Sequence, residues 1–235
     1  MRINKFIANN SKYSRRHVDE LITAGKVFVN GEKTTELGKM IDPENDEVKI
    51  EGTLVADKVP KVYLLLNKPK GYVTTRQNED AHSDRPTVMD LLPKEYQNLK
   101  PVGRLDMDTE GLLIMTNDGE YINKITHPRF EHEKTYYAEV RGELTDETKE
   151  KVEAGIIIEG RKTAPAKILI KKRNKTKTTL SITIHEGRNR QIRKMFGKAG
   201  HYVQYLMRIR SGNIVLGNLK QGQFRKLTLK EINAD

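Results

Sequence analysis

The amino-acid sequence predicts an α+β fold of two domains, a small one at residues 1–52 and a larger one at residues 61–235. Two short segments with helical apolar spacing precede a strand-like segment within the first 31 residues. Beyond residue 60, most apolar runs have the length and composition of strands. Residues 53–60 contain no periodic element and end at a proline, so we predict a linker there.

The small domain begins with a helix at residues 2–9, where apolar side chains recur at helical spacing. Ser14 is a typical N-cap residue and predicts a second helix at residues 15–24, which Gly25 ends. A short strand and a tight Asn-Gly turn follow at residues 26–31. This order of elements predicts a helix–turn–helix–strand module.

The larger domain is predicted to be rich in strands. Its strand-like segments are 61–67, 112–115, 133–142, 164–171, 178–185, 206–210 and 222–228. Its helical segments are 119–126, 145–154 and a helix that starts at 186, and residues 88–92 are a short helix or a turn.

Charge is distributed unevenly along the chain, whose net charge is +11. Residues 161–210 hold 15 basic side chains and one acidic side chain, which is expected of a surface that binds phosphates. The absence of cysteine excludes disulfides and thiolate metal sites. No apolar run approaches the ~20 residues of a membrane helix, and the N-terminus has no apolar leader. We therefore expect a cytoplasmic protein that does not contact membranes.

Two stretches carry the chemically informative residues. Residues 103–111 form a polar loop between two glycines, and an apolar run at 112–115 predicts that this loop is attached to a buried strand. The loop holds one arginine and three carboxylates: Arg104, Asp106, Asp108 and Glu110. The second stretch, residues 186–196, is basic on one side and apolar on the other. Its cations are Arg188, Arg190, Arg193 and Lys194.

The loop resembles the active-site motif of the RsuA family of rRNA pseudouridine synthases, and the stretch at 186–196 resembles the second signature of that family. The resemblance implies a catalytic domain with a mainly antiparallel sheet and a central active-site cleft. It also implies that Asp106 is the nucleophile and that Arg193 pairs with it. Three further positions match family residues: Tyr136 lies against the uracil, Arg104 helps to fill the space of a flipped base, and Leu206 packs on the base.

Residues 2–50 resemble the small αL-motif RNA-binding domain that also occurs in a ribosomal protein of the small subunit. In that family, the basic helix contacts structured RNA. The resemblance implies RNA contacts for Lys12, Arg15, Arg16 and Lys26. In the larger domain, we expect Arg188, Arg190 and Lys194 to contact phosphates.

The expected function is therefore isomerisation of a uridine to pseudouridine in ribosomal RNA. The amino-acid sequence of residues 187–193 resembles that of the large-subunit, RluB-like branch of the family more than that of the small-subunit branch. No cofactor and no metal are expected, and the partner is ribosomal RNA or a pre-ribosomal particle, bound by a monomer. Two alternatives from other classes remain open at this stage. One is a non-catalytic RNA-binding assembly factor, and the other is a nuclease with a metal on Asp106, Asp108 and Glu110.

The pairing of Asp106 with Arg193 has a physical motive. Burial raises the pKa of an aspartate, whereas a neighbouring guanidinium keeps the carboxylate ionised. A guanidinium can hold a carboxylate through two parallel hydrogen bonds and stays charged. We therefore expect Arg193 to contact the Asp106 carboxylate directly.

Overall fold

The computed structural model describes residues 1–11, 13–55, 60–75 and 84–233. The chain divides into two compact units, one of residues 1–61 with 117–119 and the other of residues 62–116 with 120–235. The first unit has one buried apolar cluster. The second unit has two clusters, which lie on opposite faces of its sheet.

The N-terminal unit contains two helices and a four-stranded sheet. Its elements are α1 (Ile3–Asn9), α2 (Arg15–Thr23), β1 (Val27–Val29), β2 (Glu32–Thr34), β3 (Val48–Ile50) and β4 (Thr53–Leu54). The strands are ordered β2-β1-β3-β4, and their pairings are antiparallel. The Ser14 hydroxyl accepts a hydrogen bond from the His17 amide at 3.2 Å, so the predicted N-cap is confirmed.

The predicted linker needs correction at its start. Thr53 and Leu54 form β4, because the Glu51-Gly52 turn folds the chain back onto β3. The Val55 amide also donates to the Val48 carbonyl at 2.8 Å. The sheet of the N-terminal unit therefore extends to residue 55, and residues 56–59 of the predicted linker lie outside the described residues.

The second unit is built around one large sheet. The strands of this unit are β5 (Tyr63–Lys68), β6 (Lys100–Pro101), β7 (Glu110–Thr116), β8 (Lys134–Arg141), β9 (Ile157–Ile158), β10 (Arg161–Lys162), β11 (Lys167–Arg173), β12 (Lys177–Ile184), β13 (Val203–Ser211), β14 (Ile214–Val215) and β15 (Phe224–Lys226). Its helices are α3 (Gly119–Thr126), α4 (Asp146–Glu153), α5 (Gln191–Lys198) and α6 (Leu229–Asn233), with short 3-10 turns at Val88–Leu91, Lys94–Tyr96 and Pro128–Phe130.

The main path of the sheet runs β11-β12-β8-β13-β7-β5-β15. Its pairings are antiparallel except for β7 with β13, which is parallel. β7 is buried along its whole length because apolar clusters cover both faces, which explains its continuous apolar run. The predicted α+β class with a mainly antiparallel sheet is confirmed.

Two local features differ from the sequence-based expectation. The helix expected from residue 186 begins only at Gln191, because Arg190 has a left-handed backbone with φ 52° and so interrupts the helix. The short hairpin of β9 and β10 was not predicted, since each strand has only two residues. Both features lie beside the cleft described next.

Candidate active site

A cleft of about 390 Å³ opens on one face of the large sheet. The loop at 103–109 forms one wall, β8 and β13 form the floor, and the segment before α5 forms another wall. Four of the predicted site residues line it together: Arg104, Asp106, Tyr136 and Leu206. Arg188 and Arg190 line it as well.

Asp106 projects from a loop whose backbone is held at several points. Lys68, at the end of β5, donates from Nζ to the carbonyls of Asp106 at 3.1 Å and Thr109 at 2.9 Å. The Thr74 hydroxyl donates to the Leu105 carbonyl at 2.7 Å. These contacts fix the main chain on both sides of Asp106, so the loop is more rigid than its polar sequence suggests.

Lys68 is completely buried, although lysine rarely is. Burial lowers the pKa of its ammonium group to about 8, and the negative charges of Asp106, Asp108 and Glu110 oppose that shift. No role for Lys68 was predicted from the sequence. The apolar run of β5 that ends in Asn67-Lys68-Pro69 was the available signal, because a lysine directly after a buried strand must find partners close to the core.

The expected pairing of Arg193 with the Asp106 carboxylate is wrong in this structure. Arg193 donates from Nη2 to the Asp108 carbonyl and from Nη1 to the Val203 carbonyl, both at 2.9 Å. Its Nε lies 3.3 Å from Asp108 Oδ2, an ion-pair distance without a hydrogen bond. The guanidinium therefore ties the loop to the start of β13 through the main chain, and its charge faces Asp108 instead of Asp106.

Arg190 holds the Asp108 carboxylate through two hydrogen bonds of 2.8 Å. The hydrogen bond from Arg190 lowers the pKa of Asp108 below its usual value, with further help from the charge of Arg193. The left-handed backbone of Arg190 is unfavourable for a residue with a side chain, and such strain is concentrated at functional sites. The phosphate contact expected of Arg190 stays a prediction, and in this structure its guanidinium holds Asp108.

The Asp106 carboxylate itself is half-buried and faces the cleft. Within the ranges that the structure describes, it forms no side-chain hydrogen bond or ion pair. Its electrostatic neighbours are cationic, since its charge raises the pKa of both Lys68 and Arg190. An accessible carboxylate that faces a cleft, with cations close by, has the placement that a nucleophile requires.

The two adjacent tyrosines of β8 face opposite sides of the sheet, as strand alternation requires. Tyr136 is 9% exposed and lines the cleft beside Leu206. Tyr137 packs against Tyr205, with ring centroids 5.9 Å apart, and donates to Glu139. Of the two, Tyr136 is therefore the one that can contact a base in the cleft.

The other predicted RNA-binding residues have diverse surroundings. Arg188 donates to the carbonyls of Arg161 and Lys162 in β10, and Lys194 pairs with Glu159 at 2.6 Å. These two cations are thus used to hold the β9–β10 hairpin against the segment that includes α5. The prediction of free phosphate contacts from them is not supported by these partners.

In the N-terminal unit, Arg15 donates to Asn4 at 3.0 Å, and Lys26 pairs with Glu51 at 2.7 Å. Arg16 is exposed on α2 and has no side-chain partner within the described part of the chain. Lys12 lies outside the described residues. Among the described members of this group, Arg16 is therefore the residue whose charge is most available to a ligand.

The three carboxylates of the loop engage different surroundings. Asp106 faces the cleft, Asp108 is held by Arg190, and Glu110 accepts hydrogen bonds of 2.6 Å from Tyr205 and Gln221. They do not converge on one point, as a nuclease with a metal on these three residues would require. Among the described residues, no three His, Asp or Glu side chains are grouped as metal ligands. No described helix is long and apolar enough to cross a membrane.

Comparison with known proteins fits this arrangement of loop, sheet and cleft. Residues 62–198 match the family model described as RNA pseudouridylate synthase, and residues 1–48 match the S4 domain. The chain belongs to the RNA pseudouridylate synthase family. It is 43% identical over 98% of its length to a Bacillus subtilis protein named ribosomal large subunit pseudouridine synthase B, covering 93% of that relative.

Two further matches support the family assignment. An Aquifex aeolicus protein named as an uncharacterized RNA pseudouridine synthase is 40% identical over 99% of this chain and 92% of its own length. A crystal structure titled pseudouridylate synthase superposes with a TM-score of 0.72 at 32% identity, covering 100% of this chain and 99% of that one. The predicted family and the predicted N-terminal RNA-binding domain are thereby confirmed.

Proposed function

We propose that this pseudouridine synthase isomerises a uridine of large-subunit ribosomal RNA, with Asp106 as the nucleophile. The observation that carries the proposal is the Asp106 carboxylate, which faces the cleft on a loop whose backbone is fixed from both sides. The choice of large-subunit RNA is supported by the name of the Bacillus subtilis relative. Small-subunit RNA is the alternative that the experiment below must distinguish.

The reaction exchanges the bond between ribose C1′ and uracil N1 for a bond between C1′ and C5. C5 loses a proton and N1 gains one, so the isomerisation needs neither an oxidant nor an energy source. The nucleophile must be ionised while it is shielded from water. Lys68 and Arg190 provide positive charge near Asp106.

The remaining cleft residues would position the base. The target uridine must leave its stack to reach a recessed carboxylate. Tyr136 and Leu206 offer an aromatic ring and an apolar side chain on the floor of the cleft, between which an uncharged base can lie. Arg104 is exposed at the cleft wall, where it can occupy the space that the flipped base leaves.

RNA affinity would be shared by the two units. Residues 1–52 provide the exposed Arg16 and the S4 module, and residues 61–235 carry the basic segment at 161–210 and the chemistry. Because such contacts release counterions, affinity should fall steeply with salt. We propose that a monomer acts on ribosomal RNA or a pre-ribosomal particle.

The decisive experiment incubates the protein with large- and small-subunit rRNA transcripts and maps pseudouridine at nucleotide resolution. Asp106→Asn should abolish the modification and leave RNA binding within about threefold, because it removes the charge and retains the size of the side chain. Asp84→Asn is the matched control, since Asp84 is an exposed carboxylate outside the cleft. Turnover near the wild-type rate in Asp106→Asn would refute the nucleophile, and modification of small-subunit RNA alone would refute the substrate.

A further inference from the structure

Two cations that the proposed chemistry does not use lie on the floor of the cleft. Lys134 precedes Tyr136 by two residues on β8, and Arg208 follows Leu206 by two residues on β13. Alternate residues of a strand share one face of the sheet, so both cations lie on the same face as the two base-contacting side chains. All four line the cleft, and Arg208 is directly opposite Tyr136 in the register of the two strands.

Neither cation has a counterion in the described portion of the chain. Arg208 is 3% exposed, and it donates from Nε to the Leu112 carbonyl at 2.7 Å. Lys134 is half-buried and donates to the His132 carbonyl at 3.0 Å. Both partners are neutral, so the two positive charges remain uncompensated. Burial, and then the charge of Arg208, lower the pKa of the Lys134 ammonium group to about 8.

An uncompensated buried cation is costly, and two in one cleft repel each other. The fold could avoid this cost with neutral side chains, as it does at Leu206 on the floor of the cleft. A bound anion would compensate both charges. Arg208 is suited to this role, because Nε is fixed by Leu112 and a guanidinium retains two terminal amino groups for an oxyanion.

We propose that Lys134 and Arg208 bind a backbone phosphate of the nucleotide whose base enters the cleft. The inference rests on the proposed function, because Tyr136 and Leu206 are taken to mark the position of the base. Residues two apart on a strand are separated by about 7 Å. A phosphate of a nucleotide is displaced from its base by a comparable distance, so one bound nucleotide can reach both pairs of side chains.

A phosphodiester fits these cations better than the uracil ring does. The ring is neutral before the reaction begins, whereas the phosphodiester carries its charge throughout binding. The same contact would place the ribose between the phosphate site and the base site. The cation pair would therefore position the nucleotide along the cleft as well as add affinity.

The test uses a short RNA that contains the uridine modified by the wild-type protein, as located by the mapping described above. It is synthesised with phosphodiesters throughout, or with one neutral methylphosphonate 5′ or 3′ of that uridine. Affinities of the wild type, Lys134→Met and Arg208→Met are measured for each RNA. Lys134→Arg tests rescue, because it restores the charge. Arg141→Met is the control, since it removes an exposed cation from the other end of β8, outside the cleft.

On all-phosphodiester RNA, we expect each Met variant to lose affinity by about tenfold or more, the size of a charge-assisted hydrogen bond. At one of the two positions, the neutral methylphosphonate should lower the affinity of the wild type by a similar factor. The same replacement should lower the affinity of the Met variants little further, because the contact is already lost in them. Arg141→Met should show no such coupling. Equal losses for the variants on charged and neutral RNA at both positions would overturn the anion site.

If the Arg208 variant does not fold, Lys134→Met decides the outcome, and thermal melting monitors both. A wild type that modifies no uridine would refute the proposed function itself, and the phosphate site with it.

Discussion

Lys68 contacts the loop only through carbonyl oxygens, among them those of Asp106 itself and Thr109. We predict that Lys68→Met lowers kcat by about tenfold or more, because the loop loses its hydrogen bonds at Asp106, the proposed nucleophile, and at Thr109. Dissociation constants for RNA should change by less than about threefold, since Lys68 cannot reach the ligand. Single-turnover rates and binding isotherms measure the two effects separately. Lys70→Met is the matched control, because Lys70 is a partly exposed lysine two residues further along the chain. A similar loss of kcat in both variants would refute the positioning role.

Lys68 should also leave a signature in the pH dependence of stability. Its pKa is about 8 in the folded protein and near its ordinary value of 10.5 in the unfolded chain. Between these values the unfolded chain binds more protons, so this residue makes the folded state more stable as the pH rises from 8 to 10.5. The free energy of unfolding of the wild type, measured relative to Lys68→Met, should therefore increase across that window. If the difference in unfolding free energy does not change between pH 8 and 10.5, the pKa of Lys68 is not lowered in the folded protein.

Arg193 is predicted to act on the position of the loop rather than on the charge of Asp106. Arg193→Met removes hydrogen bonds to the carbonyls of Asp108 and Val203, so kcat should fall by at least tenfold. The acid limb of the pH–rate profile should remain where it is, because the guanidinium does not contact Asp106. Displacement of that limb to higher pH would instead indicate that Arg193 meets Asp106 once RNA is bound.

At the scale of elements, the decisive junction is the parallel pair of β7 and β13. Gly111 has φ 101°, and a Cβ there would lie 2.2 Å from the Arg208 carbonyl oxygen. We predict that Gly111→Ala destabilises the protein by about 3 kcal/mol or more, because backbone strain and a clash with the main chain coincide. Denaturant unfolding measures the loss. Gly187→Ala is the control, since a Cβ at Gly187 meets nothing within 4 Å. Equal stability of the two variants would contradict the close approach.

The elements also show what sequence patterns can and cannot predict. Segments with strong periodicity or a clear cap, such as α2 and β8, were predicted nearly to their ends. The start of α5 was misplaced because the left-handed conformation of Arg190, whose guanidinium holds Asp108 from a distant part of the chain, has no signal in the local sequence. The Asp106–Arg193 pairing failed for the same reason. The sequence correctly predicted that residues 103–111 and 186–196 line the same cleft. The atoms that contact each other there depend on the geometry of the loops, which no local sequence pattern predicts.

At the scale of the whole molecule, the two units have separate apolar clusters, which predicts that the larger one folds alone. Because β4 completes the N-terminal sheet, a truncation that removes the N-terminal unit should end after residue 60 and not after residue 52. A protein of residues 61–235 should retain a cooperative thermal transition, bind RNA more weakly and show a shallower dependence of log affinity on log salt. Filter binding at several salt concentrations tests this. An unchanged slope would remove the N-terminal unit from the RNA interface.

The parallel pair of β7 and β13 has a consequence for synthesis of the chain. It joins segments that are 96 residues apart, as the Arg208–Leu112 hydrogen bond shows, and contacts of such long range form late in folding. During translation, residues 103–111 leave the ribosome long before β13 does. The loop is therefore present before the strand that pairs with β7 has been synthesised. Nascent chains that stop before residue 203 should therefore be inactive even though they already contain Asp106. The enzyme would acquire activity only near the end of its own synthesis, when it is about to be released from a particle built of the same kind of RNA that it modifies.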